Sequence, residues 1–95
     1  MYYDLGFYKA AAISFSSLSE NFPDSKKSDK YKLLVIKSYY KYAEMSIPEK
    51  QLERYEKTIL ECNDFMERFK ESTLISEAEN YKNLSNNFIK NLKHE

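Results

Sequence analysis

Two stretches of this chain repeat one another without a gap, and that repetition limits the folds open to it. Tyr55 stands 47 residues after Tyr8. The same spacing joins Ala11 to Thr58, Phe15 to Cys62, Leu18 to Phe65, Phe22 to Phe69 and Ser25 to Ser72. Within each copy the large or small apolar positions recur every three or four residues, the period of one helix face. A repeated helical unit cannot bury that face alone, so it stacks on its neighbours. One Gly and two Pro in 95 residues leave too few turn formers for an all-β chain. The length fits one small domain spanning residues 1–95.

Four helices account for the pattern. The first is expected over about 2–22, with Ala10, Ile13, Phe15, Leu18 and Phe22 on its apolar face. Gly6 is a plausible cap for a separate fragment before it, and Phe22-Pro23-Asp24-Ser25 stops it. The second is expected over 28–44, capped by Ser28 or Ser25, with Tyr31, Leu34, Val35, Ser38, Tyr39, Tyr42 and Ala43 as its stripe. Leu33, Ile36 and Tyr40 lie off that stripe, so this helix is apolar on two sides and belongs between neighbours. Ser46-Ile47-Pro48-Glu49 reads as a capping box that opens a third helix over 48–69. That helix faces inward through Leu52, Tyr55, Ile59, Cys62, Phe65, Met66 and Phe69, and places Glu53, Glu56, Lys57, Glu61, Asp64, Glu67 and Arg68 in solvent. A fourth begins near Ser72 or Ser76 and carries Leu74, Ala78, Tyr81, Leu84 or Ser85, Phe88 and Leu92 inward.

In the first copy, Ala11-x3-Phe15-x7-Pro23, with Gly6 and Tyr8 before it, resembles the second half of a tetratricopeptide repeat. Tyr39-Tyr40 resembles the end of that repeat's first helix. The fold this implies is all-α, an array of antiparallel helical hairpins of tetratricopeptide-repeat type. Here the unit is longer than the usual ~34 residues, with most of the excess in 44–54. The second copy departs from the motif at Thr58 and Lys70, where Ala and Pro are usual.

Two further stretches narrow the resemblance. The helix end Asn21-Phe22-Pro23-Asp24-Ser25 is similar to a stop found in bacterial periplasmic repeats. The run from Tyr39-Tyr40 through Ala43, Ser46-Ile47 and Lys50-Gln51 to Glu53-Arg54-Tyr55 resembles the BamD family of outer-membrane protein assembly lipoproteins. The resemblance covers essentially the whole chain, as the C-terminal repeats of a longer protein without its leader, lipidated Cys and first repeats. It implies a protein-binding scaffold on the periplasmic face of the bacterial outer membrane. Its partners would be the barrel-inserting subunit and other assembly lipoproteins, and its membrane association would come only through the absent lipid anchor. A different periplasmic or cytoplasmic tetratricopeptide adaptor is the alternative, and a small helical enzyme or ligand-binding bundle is a further rival.

No catalytic constellation stands out. Cys62 with His94 could be named nucleophile and base, but Cys62 lies on an apolar stripe, where a buried thiol is the ordinary reading. Spaced ligands for a metal, a Gly-rich phosphate loop and any cofactor motif are missing from the sequence. Basic and acidic residues balance at 15 each, without the basic excess of a nucleic-acid binder. The longest apolar runs fall far short of the ~20 residues of a membrane span. The expected binding surface is the concave side of the second helix, with Lys30, Leu33, Lys37, Tyr40 and Lys41 anchoring an acidic segment; the alternative has Leu33 and Tyr40 touching a neighbouring helix while the lysines are solvated. The connection around Ile47 and Pro48 is expected to be a plain loop, with a protruding partner contact as the other reading. The first helix, left without the neighbour it would pack on, is an expected face for a homodimer.

Overall fold

The computed structural model describes residues 6–21 and 27–93. Four α-helices follow in order: α1 (Tyr8–Asn21), α2 (Ser28–Glu44), α3 (Pro48–Arg68) and α4 (Ile75–Lys93). No strand occurs among the described residues. The stop at Phe22-Pro23-Asp24-Ser25, the expected start near Tyr2, the Ser25 cap and His94 all lie outside the described residues. Gly6 has φ +82°, in the left-handed region where the absence of Cβ removes the steric cost.

The helices pack as neighbours. α1 lies on α2, α2 on α3 and α3 on α4, and α2 also touches α4. Short connections make each successive pair antiparallel, so α2 and α4 run the same way. The two hairpins keep the 47-residue spacing in three dimensions. Ser28 opens α2 and Ile75 opens α4. Ala11 and Thr58, Phe15 and Cys62, and Ser38 and Ser85 are buried in both copies. Small side chains at such positions let helix axes approach closely, which places the larger residues beside them in contact.

Three apolar clusters hold the array. Ala11, Phe15 and Val35 join α1 to α2, with Leu18, Tyr31, Leu34 and Tyr39 around them. Leu33 and Ile36 of α2 meet Cys62 and Phe65 of α3 and Ala78 of α4. Tyr40, Ala43 and Tyr55 form the third, flanked by Tyr81, Leu84, Ile89 and Leu92. Tyr55 is fully buried and stacks on Phe88 with centroids 4.9 Å apart. Its counterpart Tyr8 is half-buried, because only α2 packs on α1 among the described residues.

Several local expectations are corrected. Ile13 was placed on the buried face of α1, but it is 57% exposed, and the face turns through Ala11, Ala12, Phe15 and Ser19 instead. Neither Ser28 nor Ser46 caps a helix. Lys27 is the N-cap of α2 and Ile47 that of α3, both without a side-chain cap bond. Ser28 is buried against Ser19, with the two hydroxyls 3.4 Å apart. The Ser46 hydroxyl donates to the Tyr42 carbonyl and accepts from Arg54 Nη1 at 2.6 Å. Pro48 does sit in the first turn of α3, where its missing N–H costs nothing. Before α4, Ser72 Oγ accepts from the Leu74 N–H at 3.1 Å and donates to Asp29 Oδ2 at 2.7 Å, tying the α3–α4 turn to the start of α2. Ser76 is exposed. No helix among the described residues is long and apolar enough to cross a membrane.

The Tyr55 hydroxyl is buried without a hydrogen-bond partner among the described residues. Removing an unsatisfied polar atom while keeping the ring is close to neutral or stabilising. Tyr55→Phe should therefore hold or raise the urea midpoint, whereas Tyr55→Ala should cost about 3–5 kcal/mol. A Phe variant as damaged as the Ala variant would show that the hydroxyl is satisfied in solution.

Candidate functional site

Because α1 and α3 both flank α2, a groove of about 450 Å³ runs between them above it. Tyr39 and Tyr42 of α2 form its floor, Lys9 stands on the α1 wall, and Arg54, Lys57 and Leu60 stand on the α3 wall. The groove continues into an apolar hollow lined by Phe7, Ala10 and Ile13, and the two share Lys9 and Tyr42. Phe7, Ile13 and Leu60 are 58%, 57% and 63% exposed. Three large apolar side chains bordering one trough form the kind of patch that marks a protein contact.

The floor is held in place by charge. The Arg54 guanidinium sits 4.1 Å from the centre of the Tyr42 ring, and Lys57 Nζ lies 5.5 Å from that of Tyr39. Both are cation–π contacts that orient the rings. Each cation has a second tether: Arg54 to Ser46, and Lys57 to Glu61 at 3.2 Å. The groove thus presents oriented aromatic rings with exposed charge, Lys9, Glu53 and Glu56, along its lining.

The expected concave-face residues do not gather into one open surface. Lys30 is exposed, while Lys37 and Lys41 are half-buried, and Lys41 Nζ lies 3.2 Å from Glu44 Oε1. Leu33 and Tyr40 are core residues at 5% and 8% exposure. The physical reason is α4, which lies along α2 and covers them. Tyr40 meets Tyr55, Tyr81 and Phe88 edge-on at 5.9, 5.2 and 6.3 Å. Burial pushes the Tyr40 phenol above its ordinary pKa, with the Glu44 charge adding to the rise. The second apolar side of α2 therefore receives α3 and α4, and a partner cannot reach Leu33 or Tyr40. One signal in the sequence did point to the groove: Ile13 and Leu60 are 47 residues apart, and both stay exposed.

No protein-family model and no curated protein sequence matches the chain.

The sequence reading also missed Lys32. It is a buried lysine that pairs with Glu61 and, at 2.7 Å, with Asp64, two carboxylates of α3 expected in solvent. Burial works against the charged ammonium, but hydrogen bonds and charge from Asp64 and Glu61 outweigh it and raise the Lys32 pKa. Burial likewise favours neutral Asp64, yet Lys32 and Arg68 draw its pKa below the usual value. A lysine held more firmly protonated is a structural tie and a poor nucleophile. Cys62, fully buried beside this cluster, has its thiol pushed up to about 12 by burial, so it stays protonated at neutral pH.

Lys32 binds its proton more tightly folded than unfolded, so its contribution is complete below pH ~10 and fades as pH climbs through the raised value. Asp64 has the opposite sign: its contribution is complete above pH ~4 and fades as pH falls through the lowered value. Lys32→Ala should cost about 2–4 kcal/mol near neutrality, less than a fully dry pair because Asp64 is partly exposed. The gap between wild type and variant should narrow as pH falls through the lowered Asp64 value and as it rises through the raised Lys32 value. A gap that stays constant from acid to alkali would mean that Lys32 acts through packing alone.

Proposed function

We propose that this chain is a protein-docking module that holds a partner in the α1–α3 groove and performs no turnover. The observation that carries the reading is the groove itself: Phe7, Ile13 and Leu60 exposed beside a floor of cation-fixed tyrosines. Rigid aromatic side chains with a polar handle lose little entropy on binding and dominate interface energetics.

The partner we propose is the outer-membrane β-barrel assembly machinery, specifically the periplasmic part of its barrel-inserting subunit, with the chain held at the periplasmic face of that membrane. Support for this comes from the resemblance of 39–55 to the BamD family and from the stacking of the two hairpins. In that stacking the equivalent helices α2 and α4 run parallel and touch, as adjoining tetratricopeptide units do. The same stretch also has local work to do. Gln51 Nε2 donates to the Ala43 and Glu44 carbonyls at 3.3 and 3.4 Å, closing the end of α2. Helix geometry thus accounts for part of the residue types on which the resemblance rests.

The test is direct binding of the purified chain to the periplasmic domains of the barrel-inserting subunit. We expect saturable binding that Leu60→Asp and Ile13→Asp each weaken tenfold or more, with helix content unchanged, since both side chains already face water. Lys30→Ala, away from the groove, should leave affinity within twofold. Absence of binding by the wild type overturns the assembly reading. Binding that ignores Leu60 and Ile13 overturns the groove.

A further inference from the structure

The 47-residue spacing allows the two helices α2 and α4 to be compared position by position. On α2, the side turned toward α3 and α4 carries Lys32, Leu33, Ile36, Tyr40 and Ala43. All five are buried, and they form most of the seam on which the next hairpin stacks. The same positions on α4 are Glu79, Asn80, Asn83, Asn87 and Lys90. All five are exposed. The opposite side of the comparison agrees. Tyr31 and Leu34, which pack with α1, correspond to Ala78 and Tyr81, which pack with α3, and Ser38 and its counterpart Ser85 are both buried. The two helices therefore share a phase at these positions; the outward side has changed character throughout, and the inward side only at Val35 and Tyr39, whose counterparts are Lys82 and Asn86.

We infer that α4 is the closing helix of the array, a hydrated edge on which no further hairpin stacks. Three positions that supply an aliphatic or aromatic side chain on α2 supply a carboxamide on α4. Burying a carboxamide without a partner costs about 1–3 kcal/mol, and three of them would outweigh the apolar contact a stacked helix offers in return. At the place of Lys32 stands Glu79, which would meet the carboxylates of a stacked α3-like helix with like charge. Repeat arrays stay monodisperse when a terminal unit turns a polar side outward, and these residues do that on α4. The inference rests on the stacked-hairpin reading and on no partner, so a failure of partner binding leaves it standing.

A grafted helix tests it. A copy of Pro48–Phe69 joined after His94 falls at the 47-residue spacing and could dock on α4 as α3 docks on α2. On the wild-type edge the added helix should stay undocked, with no gain in the urea m-value. On the variant Glu79→Lys, Asn80→Leu, Asn83→Ile, Asn87→Tyr, which restores the residues of α2, it should dock and raise the m-value by about one-fifth, in proportion to the added buried surface. Docking on the wild-type edge overturns the inference. So does a restored edge that still refuses the helix, because polarity would then not be what closes the array. Far-UV circular dichroism of both fusions reads the same distinction as gained helix.

Discussion

Burial of α2 on two sides is the constraint on which the rest of the molecule depends. One side, through Tyr31, Leu34 and Val35, receives α1. The other, through Leu33, Ile36 and Tyr40, receives α3 and α4. A helix apolar on a single stripe would have made one hairpin and left the remaining helix pair unattached. With two stripes, α2 becomes the shared wall of neighbouring layers, and both the groove and the closing edge follow from its position. The buried Lys32 fits this picture. A lysine can sit in so enclosed a place only where carboxylates meet it, and Glu61 and Asp64 approach from the adjacent turn of α3.

Much of this architecture could be read from the residues. The four helices, the bounds of α2 and α3 to within a residue, and the sandwiching of α2 all follow from apolar spacing and from Pro48. The failures share a cause. A stripe fixes the phase of a helix, but it does not say which neighbour covers which side. Tyr40 could therefore be read either as an open-surface residue or as one covered by a neighbour, and α4 covers it, while Glu61 and Asp64 were assigned to water although a lysine from α2 reaches them. The caps failed for a related reason. A serine at a helix start is offered several partners by the fold: Ser28 bonds across to Ser19, and Ser46 donates to the Tyr42 carbonyl and accepts from the Arg54 side chain rather than from a first-turn amide of α3.

The groove escaped notice because its markers are spread over three helices. Ile13 alone looks like part of a buried stripe, and Leu60 alone looks like a stray apolar residue on a charged face. Only their common place in the two repeats, together with tyrosines of α2 between them, gives the pair a meaning. The cations on Tyr39 and Tyr42 add a further point. Lys57 belongs to an outwardly charged face in the sequence, yet it and Arg54 each rest on an aromatic ring and are held from a second side.

The two walls of that trough are not equally anchored. Among the described residues, α3 is gripped by both α2 and α4, whereas α1 leans on α2 alone. Helices with a single neighbour open at lower free energy than those locked between two. The α1 wall is thus the loose jaw of the clamp. A ligand that touches both sides does more than fill space: it fastens α1 to the body, and the grip it gains is reduced by the work of holding that jaw still.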